Sequence, residues 1–412
     1  MCIRDRTYDT YGHGTHVAGI IAGDGTDSSG RWTGIHYGVN LIDLRVLDGI
    51  GIGTDSQVIA AVQRAIALKS TYNIRIINLS LGRGIFESYK TDPLTQAVEQ
   101  AWKAGILVVV ASGNYGRDNS HNNNGYATIT SPGNDPYVIT VGAMRTMDTQ
   151  TRSDDAIASY SSKGPSLLDH VVKPDLVAPG NLVSSTLAPN SLLYNLYSFT
   201  WLPLSAYKNG NSSTTSADYF TLSGTSMAAP VVSGAAALMF EKNPSLTPDQ
   251  VKARLMKTAF KNLPLYTTAT DPVTGITYNE QADIFTVGAG YLDIAAALNN
   301  TDSASSAVGV ALSPSASYNA TTGQVTLVNG SSVVWGTSVV WGTSVVWGTS
   351  VVWGTNSSSQ SVVWGGQSVV WGTSTNSGFS VVWGTSAAPM SVVWGCSNPL
   401  TYASSVLVNG DK

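Results

Sequence analysis

Between Leu41 and Ser112 short apolar runs alternate with segments of helical period, and this alternation constrains the chain more than any other feature. It predicts strands at 41–47, 75–80 and 106–112 and helices at 55–68 and 94–103. Val58, Ala61, Val62, Ala65 and Ile66 share one face of the first helix, and Leu94, Ala97, Val98, Ala101 and Trp102 share one face of the second. Gly105 stops the second helix, and a further strand is expected at 137–143. Strands separated by helices imply βαβ units, so the expected class is α/β, a doubly wound, mostly parallel sheet with helices on both faces. A later helix at 247–259 carries its own start signal: Thr247 as cap, Pro248 at the first position, Gln250 closing a capping box and Leu246 stapled to Val251. The stretch 180–222, rich in Ser, Tyr, Asn and Leu, reads as an irregular surface insertion that shapes a cleft.

Charge excludes some partners. The 22 Lys and Arg form no basic block and the formal net charge is -4, so an electrostatic grip on nucleic acid or an anionic membrane has no support. The longest apolar run, 227–240, is interrupted by Pro230, Ser233 and Gly234 and falls short of the ~18 residues of a spanning helix. Two cysteines, Cys2 and Cys396, build no disulfide framework. Residues 1–6 are charge-dense and unlike the remainder of the chain, which suggests a non-native start. One domain is expected over 7–300. From 301 to 412 the composition shifts to Ser, Thr, Val, Gly and Trp, and Val-Val-Trp-Gly recurs at Trp335, Trp341, Trp347, Trp353, Trp364, Trp371, Trp383 and Trp394. The first four units repeat every six residues, an even period that keeps Val334 on one face of a strand and Val333 and Trp335 on the other. The repeats therefore read as β-type: a stacked array, strands laid on a partner, or an aggregation-prone tail. A low-complexity tail without chemistry and a surface-attachment or polymer-binding module remain the two readings of their role.

Three separated motifs carry chemistry. In Gly12-His13-Gly14-Thr15-His16-Val17-Ala18-Gly19, two histidines three apart suggest metal ligation, but no Glu lies beside them as zincin chemistry demands. The flanking glycines make His13 a candidate general base, with His16 structural. In Gly224-Thr225-Ser226-Met227-Ala228-Ala229-Pro230, Ser226 stands at the first turn of a buried helix, where backbone N–H groups face a developing oxyanion; a plain Ser cap is the alternative. Pro230 is expected within the first turn or so, where its absent donor costs little. In Val109-Val110-Ala111-Ser112-Gly113-Asn114, Asn114 is either a turn former or an amide donor at a strand C-terminus, where parallel sheets bind ligands.

Together these motifs resemble the subtilisin-like serine proteases, the subtilase family. The resemblance rests on GHGTHVAG at 12–19, INLSLG at 77–82, ASGN at 111–114, SPGNDPYVITVGA at 131–143, KPDLVAPG at 173–180, GTSMAAP at 224–230 and GAGYLDIAAAL at 288–298, in family order. It implies a serine endopeptidase with His13 as general base, Ser226 as nucleophile and Asn114 as oxyanion donor. It also implies that Ser80, Leu81 and Gly82 and, opposite them, Gly51, Ile52 and Gly53 flank an extended polypeptide substrate, while Ala111, Ser112 and Gly113 wall the primary specificity pocket. No cofactor or metal takes part in the chemistry so implied. Calcium is common in the family, yet Asp24, Asp27, Asp43 and Asp48 show no ordered ligand spacing and no site is assigned. An extracellular, secreted setting follows from the resemblance and from the low-charge Ser/Thr-rich repeats.

One departure stands out. The family runs Asp, His, Ser along the chain, whereas neither Asp5 nor Asp9 lies in an Asp-Thr/Ser-Gly motif, and Asp9 matches a non-triad acid before the Gly-His. The sequence thus reads as lacking the first strand and the triad Asp, and as nearly inactive: loss of that residue costs about 3 × 10⁴ in turnover in subtilisin itself, a borrowed figure. Two further expectations compete with the enzyme: an inactive subtilase fold that binds, and an adhesion module centred on the repeats.

Overall fold

The structure of the chain, a computed structural model, describes residues 8–207, 215–302, 304–319, 324–328 and 402–412, with strand fragments at 333–335, 339–341, 370–371 and 380–381. The repeats lie almost wholly outside the described residues, as do residues 1–6, Cys2 and Cys396.

The core sheet is built from β1 (Ile76–Leu79), β2 (Leu107–Ala111), β3 (Ile139–Arg145) and β5 (Leu176–Pro179), all parallel, with the short β4 (Ala156–Ile157) antiparallel at the end of β3. β2 and β3 are buried along their whole length, whereas β1 is half-buried at the edge. Val108, Val109 and Val110 are fully buried, and each such side chain stabilises by about 1.5–3 kcal/mol relative to exposure. α1 (His13–Ala22), α2 (Asp55–Tyr72), α3 (Pro93–Lys103) and α5 (Thr225–Lys242) surround the sheet; α5 lies across β1, β2, β3 and β5 and packs on α1, while α3 packs on β2 and α2 on α3. Helix starts follow local chemistry. Thr54 and Gln57 close a capping box on α2, Asp92 accepts from the Leu94 N–H ahead of α3, and Thr247 and Gln250 close the expected box on α6 (Pro248–Thr258).

Two expectations are corrected. No strand forms at 41–47: nothing among the described residues pairs with it, and Leu41 and Ile42 are 51% and 38% exposed. Strand propensity without a neighbouring ladder leaves backbone groups to water. In the stretch 180–222 the described residues, 180–207 and 215–222, are not an irregular insertion. β6 (Val183–Thr186), β7 (Trp201–Pro203) and β8 (Thr215–Leu222) form an antiparallel sheet with β8 central, and α4 (Leu192–Leu196) sits on the connection.

Past α6 the described segments stay on the body. β9 (Tyr266–Thr270) and β10 (Thr277–Gln281) form a hairpin, α7 (Ile294–Asn299) packs on α5 and α6, and β11 (Ser315–Asn319) and β12 (Gln324–Val328) form a second hairpin. That second hairpin covers a small apolar cluster of Tyr126, Val172, Ile284 and Phe285 with Ala316 and Val325. α8 (Tyr402–Asn409) adds Val406, Leu407 and Val408 to the main core. No described helix is long and apolar enough to cross a membrane.

Candidate active site

Ser226 is the second residue of α5, where backbone N–H groups have no partner within the helix. Pro230 proves to be the sixth residue of α5 and not part of its first turn. It removes the N–H that would bond the Ser226 carbonyl, and the freed oxygen accepts instead from the Ser80 hydroxyl at 2.7 Å. In return the Ser226 hydroxyl donates to the Ser80 carbonyl at 3.4 Å, so the start of α5 is pinned to the end of β1.

Asn114 follows β2 and is oriented by Thr225. Its Oδ1 accepts from the Thr225 N–H at 2.9 Å and from the Thr225 hydroxyl at 3.1 Å. With the carbonyl side fixed, the NH₂ side faces the turn before Ser226. A Cβ on Gly224, which has φ 145°, would sit 3.2 Å from Asn114 Nδ2, so this close approach requires glycine.

His13 begins α1, the helix packed against α5. Its ring lies 6.2 Å from that of Tyr11. Burial pushes its pKa down to about 4 against the opposing pull of Asp9, so the imidazole is neutral at physiological pH, as a general base must be. Asp9 itself caps the start of α1: its Oδ1 accepts from the N–H groups of Tyr11 and Gly12, and its Oδ2 from the N–H and hydroxyl of Thr15. Among the described residues no carboxylate is hydrogen-bonded to the His13 ring. His16 faces elsewhere, with Nε2 2.9 Å from the Val183 carbonyl and its ring edge-on to Phe220, so the two histidines do not converge as a ligand pair. Among the described residues no group of three or more His, Cys, Asp or Glu side chains is arranged to hold a metal ion.

The expected flanking segments fall beside these groups. Gly51, at φ 79°, lets the 51–53 turn touch the Tyr11 ring two residues before His13; a Cβ there would lie 2.8 Å from that ring. Asp48 ties the turn by accepting from the N–H groups of Ile50 and Ile52. On the other side, Gly82 and Gly113 both face Thr130, and Arg83 and Ser131 pair across an isolated antiparallel bridge. Thr130 is thus the floor between the 80–82 and 111–113 segments, and its N–H donates to the Ser112 carbonyl at 3.0 Å. Leu81, Ala111 and Ser112 are buried, and Ser112 and Gly113 each have both backbone groups engaged, Gly113 through the Thr225 hydroxyl and the Ser162 N–H, which leaves Ser80 and Gly82 as the accessible edges. Sequence reasoning misses the roles of Thr225 and Thr130, although each sits inside or next to a motif it singles out.

Residues 4–303 match the family described as "Subtilase family" (Peptidase_S8). The chain is 42% identical over 253 residues to serine protease AprX of Bacillus subtilis (strain 168), an alignment covering 60% of this chain and 52% of that protein. It is 34% identical over 251 residues to subtilisin DY of Bacillus licheniformis, covering 61% and 71% respectively, and 36% identical over 255 residues to an extracellular serine proteinase of Thermus sp. (strain Rt41A), covering 62% and 47%. The chain spans about half the length of the first and third of these relatives. Among solved structures, sphericase superimposes with a TM-score of 0.50 at 28% identity over 70% of this chain and 80% of that one.

Proposed function

The chain belongs to the subtilase family, and from that premise we propose that it is a serine endopeptidase whose nucleophile is Ser226. The observation that carries this reading is the Asn114 amide, locked through its oxygen onto Thr225 with its NH₂ toward Gly224, two residues before Ser226. Substrate binds as an extended strand between the open edges at Ser80 and Gly82 and the 51–53 turn, with one side chain directed toward Thr130. Neutral His13 takes the proton of the Ser226 hydroxyl as its oxygen bonds to the peptide carbonyl carbon. The oxyanion is held by Asn114 Nδ2 and the Ser226 N–H. His13 then gives that proton to the departing amine as the C–N bond breaks, and water attacks the acyl-enzyme by the same route in reverse. None of these steps calls for a metal or cofactor.

Because Asp9 is engaged as a cap, no carboxylate among the described residues is hydrogen-bonded to the His13 ring to hold its tautomer, and turnover of this chain is slow. The name of the Thermus relative supports an extracellular setting.

A fluorophosphonate should label Ser226 slowly, as mapped by mass spectrometry, and Ser226→Ala should abolish the adduct and lower residual peptide hydrolysis by about two orders of magnitude. An adduct on another residue, or unchanged hydrolysis in Ser226→Ala, would overturn the assignment. The labelling rate should stay level from pH 7 down to about 5 and fall with a midpoint near 4, since the buried imidazole resists protonation well below the usual histidine range. A midpoint at 6.5 or above would contradict this description of His13.

A further inference from the structure

The segment 402–412 returns to the body at the turn that feeds α5. The Leu407 carbonyl accepts from the Ser223 N–H at 2.7 Å. Gly410, at φ 61°, packs so closely that a Cβ there would lie 2.5 Å from both Ser223 Oγ and Asn181 Oδ1. The Asp411 N–H donates to Asn181 Oδ1 at 2.8 Å, and Asn181 Nδ2 donates to the Asp411 carbonyl at 3.2 Å. Adjacent to Asn181, the Gly180 carbonyl accepts from the Gly224 N–H at 2.8 Å. The end of the segment is anchored in turn: Asp411 is buried and takes Arg117 at 2.6 Å, the Ser159 N–H at 2.7 Å and the Ser159 hydroxyl at 2.7 Å. Arg117 also meets Asp271 at 3.1 Å, and Lys412 pairs with Thr270 through both backbone groups.

We propose that residues 402–412 form a clasp, anchored by Asp411 as a positioning residue, that fixes the Ser223–Gly224 turn and through it the placement of Ser226 beside Asn114. This rests on the reading of Ser226 as nucleophile. Gly224 has a backbone conformation that only glycine adopts readily, so the turn needs an external constraint, and the clasp supplies one at the preceding residue. In the chain the repeats lie between β12 and α8.

The test uses the full chain, its Asp411→Asn variant and its Gly410→Ala variant, which wedges the seat at Ser223 without altering any charge. Site-resolved hydrogen exchange reports the Ser223 amide against the Val109 amide in the core, and fluorophosphonate labelling reports Ser226. The expected result is exchange at Ser223 at least tenfold faster in both variants, Val109 unchanged, and labelling slowed about tenfold. Unchanged exchange at Ser223, a rise in step with Val109, or faster exchange with undiminished labelling would overturn the proposal. Should Asp411→Asn fail to fold, Gly410→Ala decides. Absence of labelling in all three proteins, the parent included, would contradict the nucleophile reading, and the exchange at Ser223 would still decide the clasp.

Discussion

Supplying a carboxylate to the His13 ring, by adding a segment that places an aspartate against it, should raise peptide hydrolysis by about 10⁴. The scale comes from subtilisin, where removal of the triad aspartate alone costs about 3 × 10⁴ in kcat. The physical reason is twofold. A buried neutral imidazole with no carboxylate hydrogen-bonded to it is free to adopt the wrong tautomer, and the imidazolium formed during attack is poorly stabilised in a site that already depresses its pKa to about 4. An aspartate corrects both, so the same addition should move the acid limb of the pH–rate profile upward. Asp9 cannot do this from its place in the fold, because both its oxygens cap α1. Fast hydrolysis by the present chain, unaffected by the addition, would contradict this account of His13.

The largest expected loss of stability comes from Asp175→Ala. Asp175 is fully buried immediately before β5, where one oxygen accepts from the Thr140 N–H at 2.8 Å and from Lys173 at 2.7 Å, and the other meets Lys252 at 3.2 Å and the Ser313 hydroxyl at 2.5 Å. Burial lowers the pKa of both lysines despite this carboxylate. Without it, two ammonium groups would remain in the interior with only carbonyl and hydroxyl partners, among them Pro136 and Val138. Removing one member of such a buried set costs about 3–5 kcal/mol. For a body of this size that corresponds to roughly a 10 °C fall in Tm by calorimetry. A fall under about 3 °C would show that the lysines shed their protons or find other partners.

Local signals in the sequence are reliable where the structure uses them locally. The Thr247–Gln250 box predicts α6, and the apolar faces predict α2 and α3, because each depends on residues three or four apart. The stretches 41–47 and 180–222 mislead for one shared reason: a strand exists through its partner. Residues 41–47 have apolar content and no ladder, whereas Val183–Thr186 looks irregular and pairs with a strand more than thirty residues away. Within the site, residue types and motif order point to His13, Asn114 and Ser226. Orientation is the part that residue types do not carry. The Ser80 hydroxyl meets a carbonyl freed by Pro230, and Thr225 turns the Asn114 amide, both across more than a hundred residues of sequence.

A crystal structure of the chain carrying a peptidyl phosphonate tests the central claim most directly. The phosphorus should be bonded to Ser226 Oγ, with one phosphonyl oxygen about 2.7–3.1 Å from both Asn114 Nδ2 and the Ser226 N–H. A phosphonyl oxygen turned toward solvent, with Asn114 still bonded only to Thr225, would contradict it.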